Sequence, residues 1–134
     1  MSKTNLETAR GLIRKAENDC KVVSIGLDHG VPLDMLCFHI QQAAEKLLKA
    51  LLAWRGVDFP FTHDLRDLLV LAVTHFPVLE EFRAPLPKYT VFAVAYRYDD
   101  AVLAPEREEV LAAFETVNRL RTIAHSLLPP EARP

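Results

Sequence analysis

The chain has 134 residues, 50% of them hydrophobic and 25% charged, a balance that suits one globular domain over 1–134 with a single core. Its formal net charge of -2 at pH 7 excludes a general electrostatic footprint for nucleic acid, so any contact with RNA has to be a local basic patch. Lys46, Lys49 and Arg55 break the longest apolar run below bilayer length, and nothing at the N-terminus reads as a secretion signal. The expectation is therefore a cytoplasmic protein, off the membrane, with Cys20 and Cys37 as reduced thiols inside helices.

Thr4 and Glu7 form a capping box, and Leu6, Ala9, Ile13, Ala16, Cys20, Val23 and Leu27 recur at three and four, which predicts a first helix from about Asn5 to Leu27. Its outward face, with Arg10, Arg14, Lys15, Glu17 and Lys21, reads as solvated surface. Gly26 and Gly30 favour its end, Pro32 is placed to be the first residue of a second helix, and Gly56 closes that helix.

The second helix carries the chain's most unusual polar pattern. Leu36, Ile40, Ala43, Ala44, Leu47, Ala50, Leu51 and Trp54 fall on one broad apolar face, as a central bundle helix requires. The remaining arc holds His39, Gln42, Glu45, Lys46 and Lys49, with Phe38 and Met35 among them. Either that arc is a solvated stripe with Glu45 and Lys49 as an i,i+4 pair, or the large apolar groups inside it mean that another segment or subunit covers it.

Val57 to Phe61 reads as a loop with two aromatics, after which Thr62 caps a third helix that carries Asp64 in its first turn and reaches about His75, where Pro77 stops it. The prolines from Pro77 to Pro87 predict a short helix around Leu79 to Phe82, and Lys88 to Tyr98 reads as another short helix. Asp99 and Asp100 begin a loop. Pro105 then opens the last helix, whose first turn carries Glu106, Glu108 and Glu109 and which runs to Pro129. The fold class is all-α: an antiparallel up-and-down helical bundle of four main helices with short extra helices.

Metal binding is set aside on geometry, because Cys37 and His39 point roughly 160° apart on a helix and no third ligand lies nearby in sequence. No Gly-rich phosphate loop or nucleophile elbow is present, so phosphate binding has to rest on side chains and helix ends, and no cofactor is implied. In the last helix Arg121 and His125 are i,i+4, an arginine to hold a phosphate and a histidine to move a proton. The alternative is that both lie at the edge of the apolar face with their tips in water.

Phe38-His39-Ile40-Gln41-Gln42-Ala43-Ala44-Glu45-Lys46-Leu47-Leu48-Lys49-Ala50 resembles the signature helix of the HEPN domain family (higher eukaryotes and prokaryotes nucleotide-binding), and Thr62-His63-Asp64-Leu65 and Tyr96-Arg97-Tyr98 fit further stretches in the right order. The likeness is to the branch found beside small nucleotidyltransferases, and it implies a helical bundle that pairs as a homodimer. It also implies a nucleotide or RNA ligand, or a nucleotidyltransferase partner, with His39, Gln42, Glu45, Lys46, Lys49, His63, Arg97 and Tyr98 as ligand-binding residues. Arg97 and Tyr98 resemble that branch's Arg-Tyr-Pro triplet, with Asp99 in place of the proline.

Other members are metal-independent ribonucleases, including toxins of toxin-antitoxin pairs, and carry an arginine, four to six residues and a histidine. Arg119 and His125 match that spacing, although Leu120 stands where a polar residue is usual. Arg121 has Thr122 after it but only three residues before His125. Three functions therefore stay open: a nucleotide-binding or nucleotidyltransferase-partner module, such a ribonuclease using Arg119 or Arg121 with His125, and a pure protein-interaction module.

Overall fold

The computed structural model describes residues 4–92 and 105–134. Helix α1 spans Asn5–Asp28, α2 Leu33–Trp54, α3 Leu65–His75 and α4 Arg107–Leu127. Short 3₁₀ helices cover Pro77–Phe82, Leu86–Tyr89 and Pro130–Ala132, and there is no strand among the described residues. The fold is all-α, an antiparallel up-and-down bundle. The expected helix over Lys88 to Tyr98 begins with residues 90–92, and the rest of it lies outside the described residues.

Helix α2 is the hub, packed against α1, α3 and α4. Leu36, Ile40, Leu47, Leu48, Leu51 and Leu52 are fully buried. They meet Ile13, Ala16 and Val23 of α1, Leu65, Leu68 and Leu69 of α3, and Val110, Val117 and Leu120 of α4 in one cluster. Burying a leucine or isoleucine side chain is worth about 1.5–3 kcal/mol, so this shared seam supplies most of the drive to assemble the bundle.

The caps follow local chemistry. Thr4 and Glu7 make the predicted reciprocal capping box. Gly56, at φ 71°, closes α2 with its N–H on Ala53 O and that of Val57 on Leu52 O, the paired geometry a left-handed residue permits. A methyl group on Gly26 would stand 2.6 Å from Leu36 Cδ2, so the missing side chain lets the end of α1 meet the start of α2.

Three predicted helix starts shift. Pro32 is the N-cap of α2 rather than its first residue, because its ψ of 137° is extended. Asp64, not Thr62, caps α3, its Oδ1 accepting from Arg66 N at 2.9 Å, while Thr62 Oγ1 accepts from Asp64 N at 3.0 Å. An ionised acceptor at the positive end of the helix outcompetes a hydroxyl. In α4 the cap is Glu106, which forms a capping box with Glu109, so the helix starts two residues beyond Pro105.

Candidate functional site

The polar arc of α2 is enclosed rather than solvated. On one side Asp19 of α1, 7% exposed, accepts from His39 Nδ1 at 2.8 Å with one carboxylate oxygen and from Lys46 Nζ at 2.6 Å with the other. On the opposite side Glu45, 4% exposed, accepts from His63 Nδ1 at 2.8 Å, from Gln41 Nε2 at 3.2 Å and from Lys49 Nζ at 3.1 Å. Gln41 also donates to the His63 carbonyl at 3.0 Å, and Gln42 donates to Gln41 Oε1 at 2.8 Å. The segment before α3 is thereby stitched to α2 by both the backbone and the ring of His63.

Each half repeats one device: a buried carboxylate shared between an ammonium and an imidazole Nδ1. A carboxylate only accepts, so Nδ1 of His39 and of His63 carries a proton, and Nε2 lies on the far side of each ring. The two lysines and two carboxylates cancel in charge, and both lysines are largely buried, Lys46 at 22% and Lys49 at 14% exposed. Aromatic groups rim the arrangement. Phe38 packs edge-on against His39 and Phe61 against His63, Phe61 itself is fully exposed, and Lys49 lies 5.9 Å from the Phe59 ring centroid.

Of the eight residues expected to bind a ligand, His39 and Lys46 meet on Asp19, and Gln42, Lys49 and His63 belong to the group around Glu45, while Arg97 and Tyr98 lie outside the described residues. Two members went unrecognised in the sequence, Asp19 and Gln41. Asp19 lies three residues after Ala16 and four before Val23, both core positions, so its place on the apolar face of α1 was readable. Gln41 lies four before Glu45 and seven before Leu48, on the same buried flank.

A second cluster joins α1 to α4. Arg121 holds the Glu17 carboxylate with two hydrogen bonds, from Nε at 2.5 Å and from Nη2, and His125 Nε2 lies 3.0 Å from Glu17 Oε1. That approach is off the line of a hydrogen bond, which leaves His125 Nε2 as the buried side-chain nitrogen without one among the described residues. Glu17 is thus no solvated residue: at 18% exposed it turns into the groove between α1 and α4 because two cation-capable groups wait there.

Burial pushes the Glu17 carboxyl upward, but Arg121 and then His125 more than offset it and hold it below the usual carboxylate range. Burial also dominates at His125 and lowers its pKa despite Glu17, so the ring is uncharged at neutral pH. Arg119 points elsewhere, to Glu81 at 2.6 Å on the exposed surface. The structure therefore brings Arg121 and His125 together on Glu17 and keeps Arg119 apart from them.

Thiol chemistry finds no support at neutral pH, since burial raises Cys20 to about 11 and Cys37 to about 12. Among the described residues no helix is long and apolar enough to cross a membrane, and no three His, Cys, Asp or Glu side chains gather as metal ligands would. Comparison with curated proteins and with solved structures found no match. The family model for the HEPN domain matches residues 9–127, from the first turns of α1 to the last residue of α4, and the chain therefore belongs to the HEPN domain family.

Proposed function

We propose that the protein is a nucleotide-binding module, acting as a homodimer beside a small nucleotidyltransferase partner, with the polar face of α2 as its ligand site. The observation that carries this reading is the cost of that face. Asp19, Gln41 and Glu45 are buried polar groups in a chain that could have placed leucine there, and each is held by partners drawn from separate segments. Burying a carboxylate costs several kcal/mol before its partners compensate. What the expense secures is two imidazoles fixed through Nδ1, with aromatic rings and two ammoniums beside them. Such a set can hydrogen-bond a base edge and meet a phosphate.

Titration of the full chain with ATP, GTP and the corresponding monophosphates is expected to show saturable binding that His63→Ala and Arg97→Ala each weaken. His63 is largely exposed, so its loss leaves the core packing in place. Absence of binding by every nucleotide up to millimolar concentration removes the reading.

A further inference from the structure

A separate cleft of about 420 Å³ lies between α3 and the two 3₁₀ turns that follow it, lined by Arg66, Leu69, Val70, Arg83, Pro87 and Lys88 with Ala84 at its edge. Its shape follows from the fold. Leu79, Phe82 and Leu86 are buried and anchor the turns, and Leu65 N donates to Thr90 Oγ1 at 3.1 Å, which ties the start of α3 to the far end of that segment. Arg66 and Val70 are i,i+4 on α3 and so face the turns together.

Two features set this cleft apart from the face of α2. First, three cations line it and no carboxylate does, in a chain where acids outnumber bases 18 to 16. Arg66 and Lys88 form no ion pair among the described residues. Arg83 gives only its Nε to Glu80, at 2.9 Å in an exposed i,i+3 pair, so its terminal nitrogens are not used there. Such a pair is weak, worth at most about 1 kcal/mol, and yields to a better anion. Second, the floor is apolar: Leu69 is buried, while Val70 is 48% exposed although it sits amid charged neighbours.

We propose that this cleft is a binding site for a small phosphorylated compound with a flat apolar body, an aryl or nucleoside monophosphate. Arginine presents paired donors that match a phosphate, and lysine adds a third charge from the opposite wall. The leucine, valine and proline surfaces then cover the ring. The volume falls in the lower part of the range of about 300–1,000 Å³ typical of small-molecule sites, too small for a folded partner. The site does not depend on the proposed role of the α2 face, and the probes below separate the two.

The full chain, labelled with ¹⁵N, is titrated with inorganic phosphate, phenyl phosphate and AMP while the amides of Leu69, Val70 and Ala84 are followed. Phenyl phosphate is expected to bind about tenfold more tightly than inorganic phosphate, the difference being the apolar floor. Binding should weaken severalfold as salt rises from roughly 0.05 to 0.5 M. Replacing both cations, Arg66→Ala with Lys88→Ala, is expected to lower the phenyl phosphate affinity read at these three amides at least about tenfold. Three results would overturn the proposal: no saturable shift with any probe, equal affinity for inorganic and phenyl phosphate, or shifts confined to the α2 face and lost in His63→Ala.

Discussion

Glu45 tests whether the polar face of α2 is a built element or a decorated surface. Glu45→Ala removes one acceptor of three hydrogen bonds and leaves Lys49, 14% exposed, with no carboxylate. Breaking a buried pair by deleting one partner costs about 3–5 kcal/mol, because the survivor stays desolvated without compensation. An unfolding entropy of about 2.1 cal/mol/K per residue gives roughly 0.28 kcal/mol/K for a chain of this length, so Tm should fall by about 11–18 °C. Glu45→Gln, which keeps the shape and one acceptor oxygen, should cost about 1–3 kcal/mol.

The assay is thermal and urea unfolding followed by circular dichroism, joined to a double-mutant cycle of Glu45→Ala with Lys49→Ala. The cycle isolates the pair, since Glu45 keeps Gln41 and His63 when Lys49 is lost. A fall in Tm of less than about 3 °C for Glu45→Ala, or a coupling below about 0.5 kcal/mol, would show that the carboxylate is hydrated and that the reasoning fails.

Acidification is expected to destabilise the fold in two stages. Below the ordinary histidine value of 6.5 the unfolded chain takes up a proton that buried His125 refuses, so stability falls through the window between 6.5 and its lower folded value, and His125→Gln should flatten that stage in Tm against pH. Below 4.5 the same holds for Glu17, whose stabilising pairing with Arg121 is present above that value and is lost as pH falls through its depressed folded value; Glu17→Gln should remove this stage, and an unchanged slope would refute the assignment. Single-stranded RNA is expected to survive incubation with the protein in EDTA, because Glu17 occupies Arg121 and Arg119 points away from His125 to Glu81; EDTA-resistant cleavage that disappears in His125→Ala would establish the ribonuclease reading instead.

Much of the bundle was legible because its signals are local. Helix α1 announces itself through a capping box and a regular apolar period, and α2 through an apolar face too wide for a surface helix. The shifted starts of α2, α3 and α4 each involve two residues within two positions of each other that are able to cap or begin a helix, where sequence alone does not rank the competitors. The candidate site was half legible. Lys46, Lys49 and His39 lie on one helix and could be gathered by counting, and the family resemblance added His63 from the segment before α3. Asp19 and Glu17 come from α1, 20 and 104 residues from partners that only the tertiary fold supplies. Glu17, among the basic residues of the outward face, reads as surface until its partner is known.

Those two acids also bear on why the bundle settles in one arrangement. Glu17 and Asp19 are two residues apart on α1, so about 200° separates them around the helix, and they engage different neighbours: Glu17 meets Arg121 and His125 of α4, and Asp19 meets His39 and Lys46 of α2. Apolar contacts tolerate small rotations of a helix, since Ala9, Ile13, Ala16 and Val23 could re-pack against a leucine-rich seam at modest cost. A rotation of α1 by one residue, about 100°, would instead strip both carboxylates of their partners at once and leave Arg121 and Lys46 half-buried and unpaired. The polar pairs therefore discriminate between rotational settings more sharply than the core does. Placing the two acids on opposite flanks of one helix couples the α2 face to the α4 cluster through the setting of α1. A ligand that draws Lys46 or His39 away from Asp19 would loosen the hold on α1, and with it the grip of Glu17 on Arg121.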